Sequence, residues 1–378
     1  MPIDFTLRAR LQTCITFLAL LILPGTEARA DIVVGQVTPL TGPQGVTGRA
    51  IHAGAQLYLD AVNAAGGIRG QRIKMLVRDD TQKPQETVRL VKELIGSRAP
   101  IAMLGTVGTS NLEALAADGV LVRSHVPMVG AISGAESIAR AGGMLVVKAR
   151  YRDEVDRLFA NLSHLGIRQV GLVYQDDGLG KDVLGGCTEA AKRHGVTLVG
   201  SAAYERNTTD TSTAVATMGR LRPQAIFLGA TTAAAVDFVT RYRSSHGAAL
   251  LYGMSIIDPD VLLQKVGPDL ARGYAFTTVL PLPTDRKRAL VREYLALSAA
   301  APNSDLSARS LEGFIAAKAL VWALKHASQL TPDGVADALA SPEGFDVGDY
   351  ALNFGDKGLS GSRYVDFAMI GSGGRFVR

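Results

Sequence analysis

The chain is 378 residues long, and 47% of its residues are hydrophobic while 20% are charged. This length exceeds one ordinary hydrophobic core and predicts two lobes. The formal charge of +5 is small, and no cluster of Lys and Arg is interleaved with aromatic residues. The composition therefore excludes both a nucleic-acid footprint and a membrane-binding patch.

The N-terminal segment has the three parts of a secretory signal peptide. Arg8 and Arg10 are basic, residues 11–23 are apolar, and Ala28-Arg29-Ala30 is a small-residue cleavage site. We therefore expect residues 1–30 to be removed on export. The mature chain is expected to be soluble, because no later run approaches the roughly 20 apolar residues of a membrane span.

Two cysteines bear on the compartment and on stability. Cys14 lies inside the predicted leader, and lipid attachment there is an alternative, although Leu11-Gln12-Thr13 is a poor lipobox. Removal of the leader leaves Cys187 as the only thiol, so no internal disulfide is expected.

Short apolar runs alternate with helical patterns along the rest of the chain. Ten runs are predicted strands, in two series of five: residues 32–37, 73–77, 101–104, 127–129 and 145–147, then 170–174, 196–199, 225–228, 250–252 and 274–277. Strands that alternate with helices favour a parallel sheet covered on both faces. Two series predict an α/β protein with two doubly wound lobes.

Two helices are predicted from their apolar spacing. The first has apolar side chains at three- and four-residue steps, namely Ile51, Ala55, Tyr58, Val62 and Ala65. Gly66-Gly67 supplies its C-terminal stop. The second spans residues 311–324, with Leu311, Ile315 and Trp322 expected to face the core.

Enzyme motifs fail when their spacing is tested. Gly178-Leu-Gly-Lys181 is followed by Asp182 rather than Ser or Thr, and it lacks the upstream glycine of a P-loop. No Gly-x-Ser-x-Gly elbow occurs, and the six histidines lack metal-ligand spacing. The pairs Asp79-Asp80 and Asp176-Asp177 suit caps and strand corners. We expect no enzyme activity, no cofactor and no metal.

Several segments together carry a family resemblance: Asp31-Ile-Val-Val-Gly-Gln-Val-Thr-Pro-Leu-Thr-Gly, Asn63-Ala-Ala-Gly-Gly-Ile-Arg-Gly, Arg72-Ile-Lys-Met-Leu-Val-Arg-Asp-Asp, Leu311-Glu-Gly-Phe-Ile-Ala-Ala and Asn353-Phe-Gly-Asp-Lys-Gly. The chain resembles the leucine/isoleucine/valine-binding family of type I periplasmic solute receptors. The resemblance implies three crossings between the lobes. Lobe 1 would be residues 31–149 and 281–352, and lobe 2 residues 150–280 and 353–378.

A narrower resemblance concerns one branch of that family. The segments Lys148-Ala-Arg-Tyr-Arg-Asp-Glu and Tyr174-Gln-Asp-Asp-Gly-Leu-Gly-Lys are similar to a branch that includes carriers of aromatic and other organic acids. This similarity weakens a literal interpretation as a leucine binder.

Two loops of the first lobe are candidate ligand contacts. In the first, Ser110 and Glu113 have capping-box spacing, which leaves Thr109 free to face the cleft. The resemblance implies that Thr109 and backbone amides hold a ligand carboxylate, and a helix N-terminus suits an anion. The second loop contributes Ala131, Ile132 and Ser133, although Ser133 and Glu136 also spell a capping box. Thr47 is expected at the rim.

The resemblance implies four contacts on the second lobe: Tyr151, Leu179, Thr231 and Ser255. Amino-acid binders of this type carry a Glu where this chain has Ser255, and that Glu pairs with the ligand's ammonium. Two alternatives follow, since a buried ammonium without an anion is costly. Either another acid replaces the Glu, with Asp153, Asp177 and Asp258 as candidates, or the ligand has no ammonium.

The expected function is that of a monomeric periplasmic receptor. It would capture an amino acid or a related aromatic or aliphatic organic acid by hinge closure and deliver it to an ABC permease with ATPase subunits. A ligand-sensing module for a chemoreceptor or kinase needs only the same closed surface, so it stays open as an alternative. A periplasmic α/β enzyme is a third, motivated only by the fold class.

Overall fold

The computed structural model describes residues 30–355 and 360–377. The predicted signal peptide therefore lies outside the described residues, apart from Ala30. None of the described helices combines the length and the apolar character needed to cross a membrane.

The first sheet is parallel throughout. Its strands are Ile32–Thr38 (β1), Ile73–Asp79 (β2), Ala102–Leu104 (β3), Met128–Val129 (β4) and Met144–Leu145 (β5). They lie in the order β2-β1-β3-β4-β5. The order reverses between β1 and β3, which is where ligand crevices open in sheets of this kind.

The second sheet has seven strands in the order β14-β13-β10-β9-β8-β6-β7. They are Gln169–Gln175 (β6), Thr197–Tyr204 (β7), Ala225–Gly229 (β8), Leu250–Gly253 (β9), Ala275–Thr278 (β10), Asp366–Ile370 (β13) and Phe376–Val377 (β14). The strands β6 to β10 pair in parallel, and β13 and β14 add an antiparallel edge. A small hairpin, Phe345–Asp346 (β11) with Ala351–Leu352 (β12), lies apart from both sheets.

Helices connect and cover the strands. They are Gly45–Ala64 (α1), Pro84–Arg98 (α2), Thr109–Asp118 (α3), Val120–Ser124 (α4), Glu136–Ala139 (α5), Tyr151–His164 (α6), Gly178–His194 (α7), Ser212–Leu221 (α8), Thr232–Ser244 (α9), Pro259–Val266 (α10), Pro268–Ala271 (α11), Ala289–Ala300 (α12), Ser310–His326 (α13) and Pro332–Leu339 (α14). The predicted stop of α1 is confirmed, because the Gly67 amide donates to the Val62 carbonyl at 2.9 Å.

The α1 and α13 helices pack with their backbones in close contact. A Cβ on Gly54 would lie 1.8 Å from the Ser310 carbonyl oxygen, and a Cβ on Gly313 would lie 2.0 Å from that of Ile51. Only glycine permits this approach. It brings the first turn of α13 to the cleft side of the first sheet, where α1 also begins.

All ten predicted strands have counterparts, and their ends agree within about two residues except at the end of β7, which extends to Tyr204. The four strands β11 to β14 were not predicted. The strands β11, β12 and β14 have two residues each, too few to show a pattern, whereas β13 contains the apolar run 367–370 that the sequence analysis missed. The side chains of Leu311 and Ile315 are fully buried, whereas Trp322 is half-buried and stacks on Phe345.

Candidate functional site

The loops at the carboxyl ends of both sheets meet around one cavity with about 450 Å³ of empty space. Its lining residues come from nine segments of the chain: Gln44, Thr47, Gln82, Val107, Gly108, Thr109, Ile132, Tyr151, Gln175, Asp177, Leu179, Thr231, Ile256 and Arg309.

Six of the nine residues predicted from the sequence line this cavity: Thr47, Thr109, Ile132, Tyr151, Leu179 and Thr231. The other three are placed differently. Ala131 and Ser133 are fully buried next to Ile132 and do not line the cavity. Ser255 borders a separate cavity, whose lining also includes Arg309.

The α3 helix begins at the cavity without a side-chain cap. Its N-cap is Gly108, whose φ of 108° favours glycine, and Thr109 is the first helical residue. The Thr109 hydroxyl lies 2.8 Å from the Ser133 hydroxyl, which accepts the Ala135 amide at 3.1 Å. The N-terminus of α3 and one hydroxyl are therefore presented together to whatever occupies the cavity.

Both predicted capping boxes are wrong. Ser110 follows the first residue of α3 instead of preceding the helix, and its hydroxyl reaches across the cleft to Asp177 Oδ2 at 3.2 Å. Ser133 lies before the N-cap of α5, which is Ala135. The Ser110 hydroxyl thus bonds across the cleft, whereas the Ser133 hydroxyl bonds both Thr109 and the amide of the α5 N-cap residue.

Tyr151 and Thr231 are held in place by buried hydrogen bonds. Burial raises the pKa of Tyr151 to about 12, and hydrogen bonds with Gly134 and Ser133 oppose that shift. The Thr231 amide donates to the hydroxyl of Tyr204 at 3.0 Å. Tyr204 was not predicted because it ends β7 behind the lining residues, and its alternating strand pattern looks like ordinary core.

Asp177 and Arg309 are the charged residues among the described lining residues. Asp177 is already saturated, because its carboxylate pairs with Arg206 Nε at 3.3 Å and accepts the Gln175 amide group at 2.8 Å. It also accepts the backbone amide of Gly180, which caps α7. Of the acids considered as replacements at the Ser255 position, only Asp177 lines the cavity.

The other two acids are engaged elsewhere. Asp153 forms a surface ion pair with Arg150 at 2.8 Å. Asp258 caps α10 and accepts the Ser307 hydroxyl at 2.5 Å. Neither lies among the residues that line the cavity.

A buried carboxylate does lie beside Ser255, but on α6. Glu154 has no exposed surface, and it accepts the Ser255 amide at 3.0 Å, the Ser255 hydroxyl at 2.8 Å and the Thr277 hydroxyl at 2.6 Å. Burial raises the pKa of Glu154, and these hydrogen bonds and Lys148 oppose the shift. Donors of the protein itself therefore already occupy the Glu154 carboxylate.

Arg309 belongs to a buried ionic cluster with Lys148 and Glu312. Lys148 Nζ lies 3.1 Å from Glu312 Oε1, and Arg309 Nη1 donates to Glu312 Oε2. Both Lys148 and Glu312 are fully buried, and burial lowers the pKa of Lys148. The sequence carried a partial signal of this cluster: Lys148 directly follows the apolar residues 144–147, whereas Arg309 lies among Ser and Ala residues, only three positions before Glu312.

Contacts between the two sheets' elements bridge the cleft on both sides of the cavity. On one side, Arg206 Nη2 donates to the Gln82 carbonyl at 2.6 Å and to Asn111 Oδ1 at 2.7 Å. On the other, the Ala308 amide donates to Asp260 Oδ2 at 2.7 Å. Within the described part of the chain, no group of His, Cys, Asp and Glu could hold a metal ion.

This arrangement, a crevice between two doubly wound sheets, matches a known family over nearly the whole chain. The family model described as "Periplasmic binding protein" matches residues 31–375. The chain belongs to this family. Members of the periplasmic binding protein family bind solutes outside the cytoplasm, so the family implies an extracytoplasmic location.

The curated relatives place this periplasmic binding protein with the leucine/isoleucine/valine-binding type. One is the Leu/Ile/Val-binding protein homolog 8 of Brucella abortus, which is 26% identical over 93% of this chain and 91% of the relative. A solved substrate-binding periplasmic protein from Ralstonia solanacearum is 39% identical, with a TM-score of 0.89 over 92% of this chain and 99% of that chain.

Two more distant structures share the fold. A branched-chain amino acid transporter substrate binding protein from Streptococcus pneumoniae, in complex with isoleucine, is 18% identical with a TM-score of 0.81 over 92% of this chain and 98% of that chain. A solute binding protein of an ABC transporter from R. palustris, in complex with benzoate, is 17% identical with a TM-score of 0.80 over 92% and 95%. The expected type I fold is confirmed.

Proposed function

We propose that this protein is the solute-binding receptor of an ABC importer and that it captures a small carboxylate-bearing ligand in the cavity between its lobes. The observation that carries the proposal is the uncapped N-terminus of α3, which meets the cavity together with the Thr109 hydroxyl. The first amides of a helix have no intrahelical acceptor, and the helix dipole favours an anion there.

The named relatives support a carboxylate as the common ligand feature. Isoleucine and benzoate are the ligands of the two distant structures, and they share a carboxylate but differ in whether they carry an ammonium. The curated relative from Brucella is named as a Leu/Ile/Val-binding homologue. A carboxylate is the group that the α3 terminus of this chain suits.

The proposed lobes are residues 31–149 with 281–352 and residues 150–280 with 353–378. The crossings would lie near residues 148–150, 280–283 and 351–354. One side chain near the third crossing bonds to residues next to the other two: the Tyr350 hydroxyl lies 2.9 Å from the Val147 carbonyl and 3.1 Å from the Val279 carbonyl. Lobes joined at a shared hinge close over a ligand as nearly rigid bodies.

The partners follow from this role. The closed form of a monomeric receptor would be recognised by an ABC permease whose ATPase subunits supply the energy, and residues 1–30 would direct the chain to the periplasm. Pull-down of the permease by the ligand-loaded protein, but not by the ligand-free protein, tests this part of the proposal.

The test of the site is the change of Thr109 to Ala. Screening by thermal shift with amino acids and with aromatic and aliphatic acids identifies the ligand, since binding to the folded state raises the melting temperature. T109A should weaken the best acid by about ten- to a hundred-fold, because a hydrogen bond to a charged group is lost. Calorimetry measures the affinity.

The matched control is T109S, which keeps the hydroxyl and should bind nearly as tightly as the wild type. If T109A bound the acid as tightly as the wild type, the proposed placement of the anion site at α3 would be contradicted. Failure of every acid to shift the melting temperature would contradict the proposed receptor function itself.

A further inference from the structure

Arg309 has a donor that the protein leaves unused. Its side chain is only 5% exposed, and Glu312 and the Ser255 carbonyl engage Nη1, the latter at 3.4 Å. The Nε–H is buried and has no hydrogen-bond partner. A buried charged donor without an acceptor is costly, so such a group indicates an acceptor that the protein itself does not supply.

Arg309 borders two cavities. Arg309 lines the ligand cavity, and it also borders the second cavity, which has about 390 Å³ of empty space and includes Ser255 and Thr277. Arg309 is therefore the residue that the two linings share. A ligand in the first cavity would lie against the Arg309 side chain.

The charged acceptor that lines the cavity, in contrast, already has hydrogen-bond partners. The Asp177 carboxylate is occupied by Arg206, Ser110 and Gln175. The orphan acceptor among the described lining residues is the neutral amide oxygen of Gln82. A neutral oxygen does not compensate a buried ammonium, so the cavity has a free cationic donor and no free anion.

We infer that the ligand carries an oxygen acceptor for Arg309 in addition to its carboxylate, and that it has no ammonium group. The shared chemistry is that of an organic acid bearing a second oxygen function, as a hydroxyl, an oxo group or a second carboxylate. This inference rests on the proposed function and adds the class of ligand. Arg309 is then a residue that determines specificity.

Skeleton-matched compounds separate these possibilities. One series is phenylglycine, phenylacetate, mandelate, phenylglyoxylate and phenylmalonate. The other is leucine, its deaminated parent acid, its hydroxy and oxo analogues, and the malonate with the same side chain. Within each series only the group beside the carboxylate changes, so calorimetry on the purified protein reports the preference for that group alone.

In the wild type, at least one oxygen-bearing member should bind about ten- to a hundred-fold more tightly than the parent acid. The ammonium-bearing member should bind more weakly than the parent acid. Which oxygen function ranks first distinguishes hydroxy, oxo and dicarboxylic acids. Tightest binding of phenylglycine or leucine overturns the inference and leaves the receptor function standing.

The variant is the double change R309Q/E312Q, which removes both charges of the ion pair. The buried charges that remain there, Lys148 and Glu154, then sum to zero. In this variant the affinities for the oxygen-bearing member and for the parent acid should differ by no more than about two-fold, because the charged donor is lost. An unchanged ranking in a folded double variant overturns the role of Arg309. Far-ultraviolet circular dichroism reports folding.

A second variant covers the case in which the double variant does not fold. R309K keeps a positive charge beside Glu312 but lacks the guanidinium Nε–H, so it too should lower the preference. A wild-type ranking in R309K overturns the inference. If no compound of either series binds the wild type, the proposed function fails together with the inference. If acids bind but their ranking does not depend on Arg309, only the inference fails.

Discussion

Cys187 shows how burial sets the chemistry of a single side chain. It lies on α7 with no exposed surface, and burial raises its pKa well above the ordinary value. The thiolate is the nucleophile in thiol chemistry, so this cysteine is expected to be inert while the protein is folded. Its role is to fill space in the core of the second lobe.

The corresponding prediction concerns alkylation. In a C14S background, iodoacetamide at neutral pH should label Cys187 slower by orders of magnitude in the native protein than in guanidinium, because labelling has to wait for opening of the core. Mass spectrometry follows the adduct, and C187A provides the unlabelled control. Rapid labelling of the native protein would contradict the buried placement of this thiol.

Single residues also mark the limit of what the sequence predicts. Thr109 was predictable because a loop between a strand and a helix carries it, and the family resemblance points to the same position. Arg309 was not, since an arginine before an apolar helix has no local feature that distinguishes a cleft residue from a solvated one. Likewise, the sequence names Asp177 as a candidate acid but does not tell which donors saturate it, and Glu154 was not among the predicted acids.

At the scale of elements, the contact between α1 and α13 sets the position of Arg309. The two glycines at this contact let the helices approach until a Cβ would overlap a backbone carbonyl. The apolar spacing predicted both helices, yet it said nothing of this approach, because the pairing of helices distant in sequence is decided by tertiary packing. Strands were predictable for the opposite reason: each apolar run of β1 to β10 is local.

We predict that G313A destabilises the protein by roughly 1–3 kcal/mol, because its Cβ would force α1 and α13 apart. The matched control is G96A on α2, where a Cβ meets no atom within 4 Å. That change should be neutral or stabilising by up to about 1 kcal/mol through helix propensity. Urea unfolding measures both, and equal effects would contradict the close helix contact.

For the whole molecule, polar contacts connect the two sides of the cleft. Arg206 is the clearest of them, since it extends from the loop after β7 to the Gln82 carbonyl and to Asn111. Asn111 is itself fixed by hydrogen bonds to Asp80 and Thr87 at 3.2 and 2.6 Å. Arg206 thus connects one lobe to a rigid polar network of the other.

Removal of this contact should favour the open form. Apparent affinity falls with the population of the binding-competent form, so R206A should weaken the ligand found by screening by about ten-fold or more. The effect should lie mainly in faster dissociation, because the Arg206 contact forms after the ligand has entered. R98A, at the end of α2 remote from the cleft, should behave as the wild type. At saturating ligand, small-angle scattering should give R206A the same radius of gyration as the closed wild type. An unchanged dissociation rate would show that closure does not depend on this arginine.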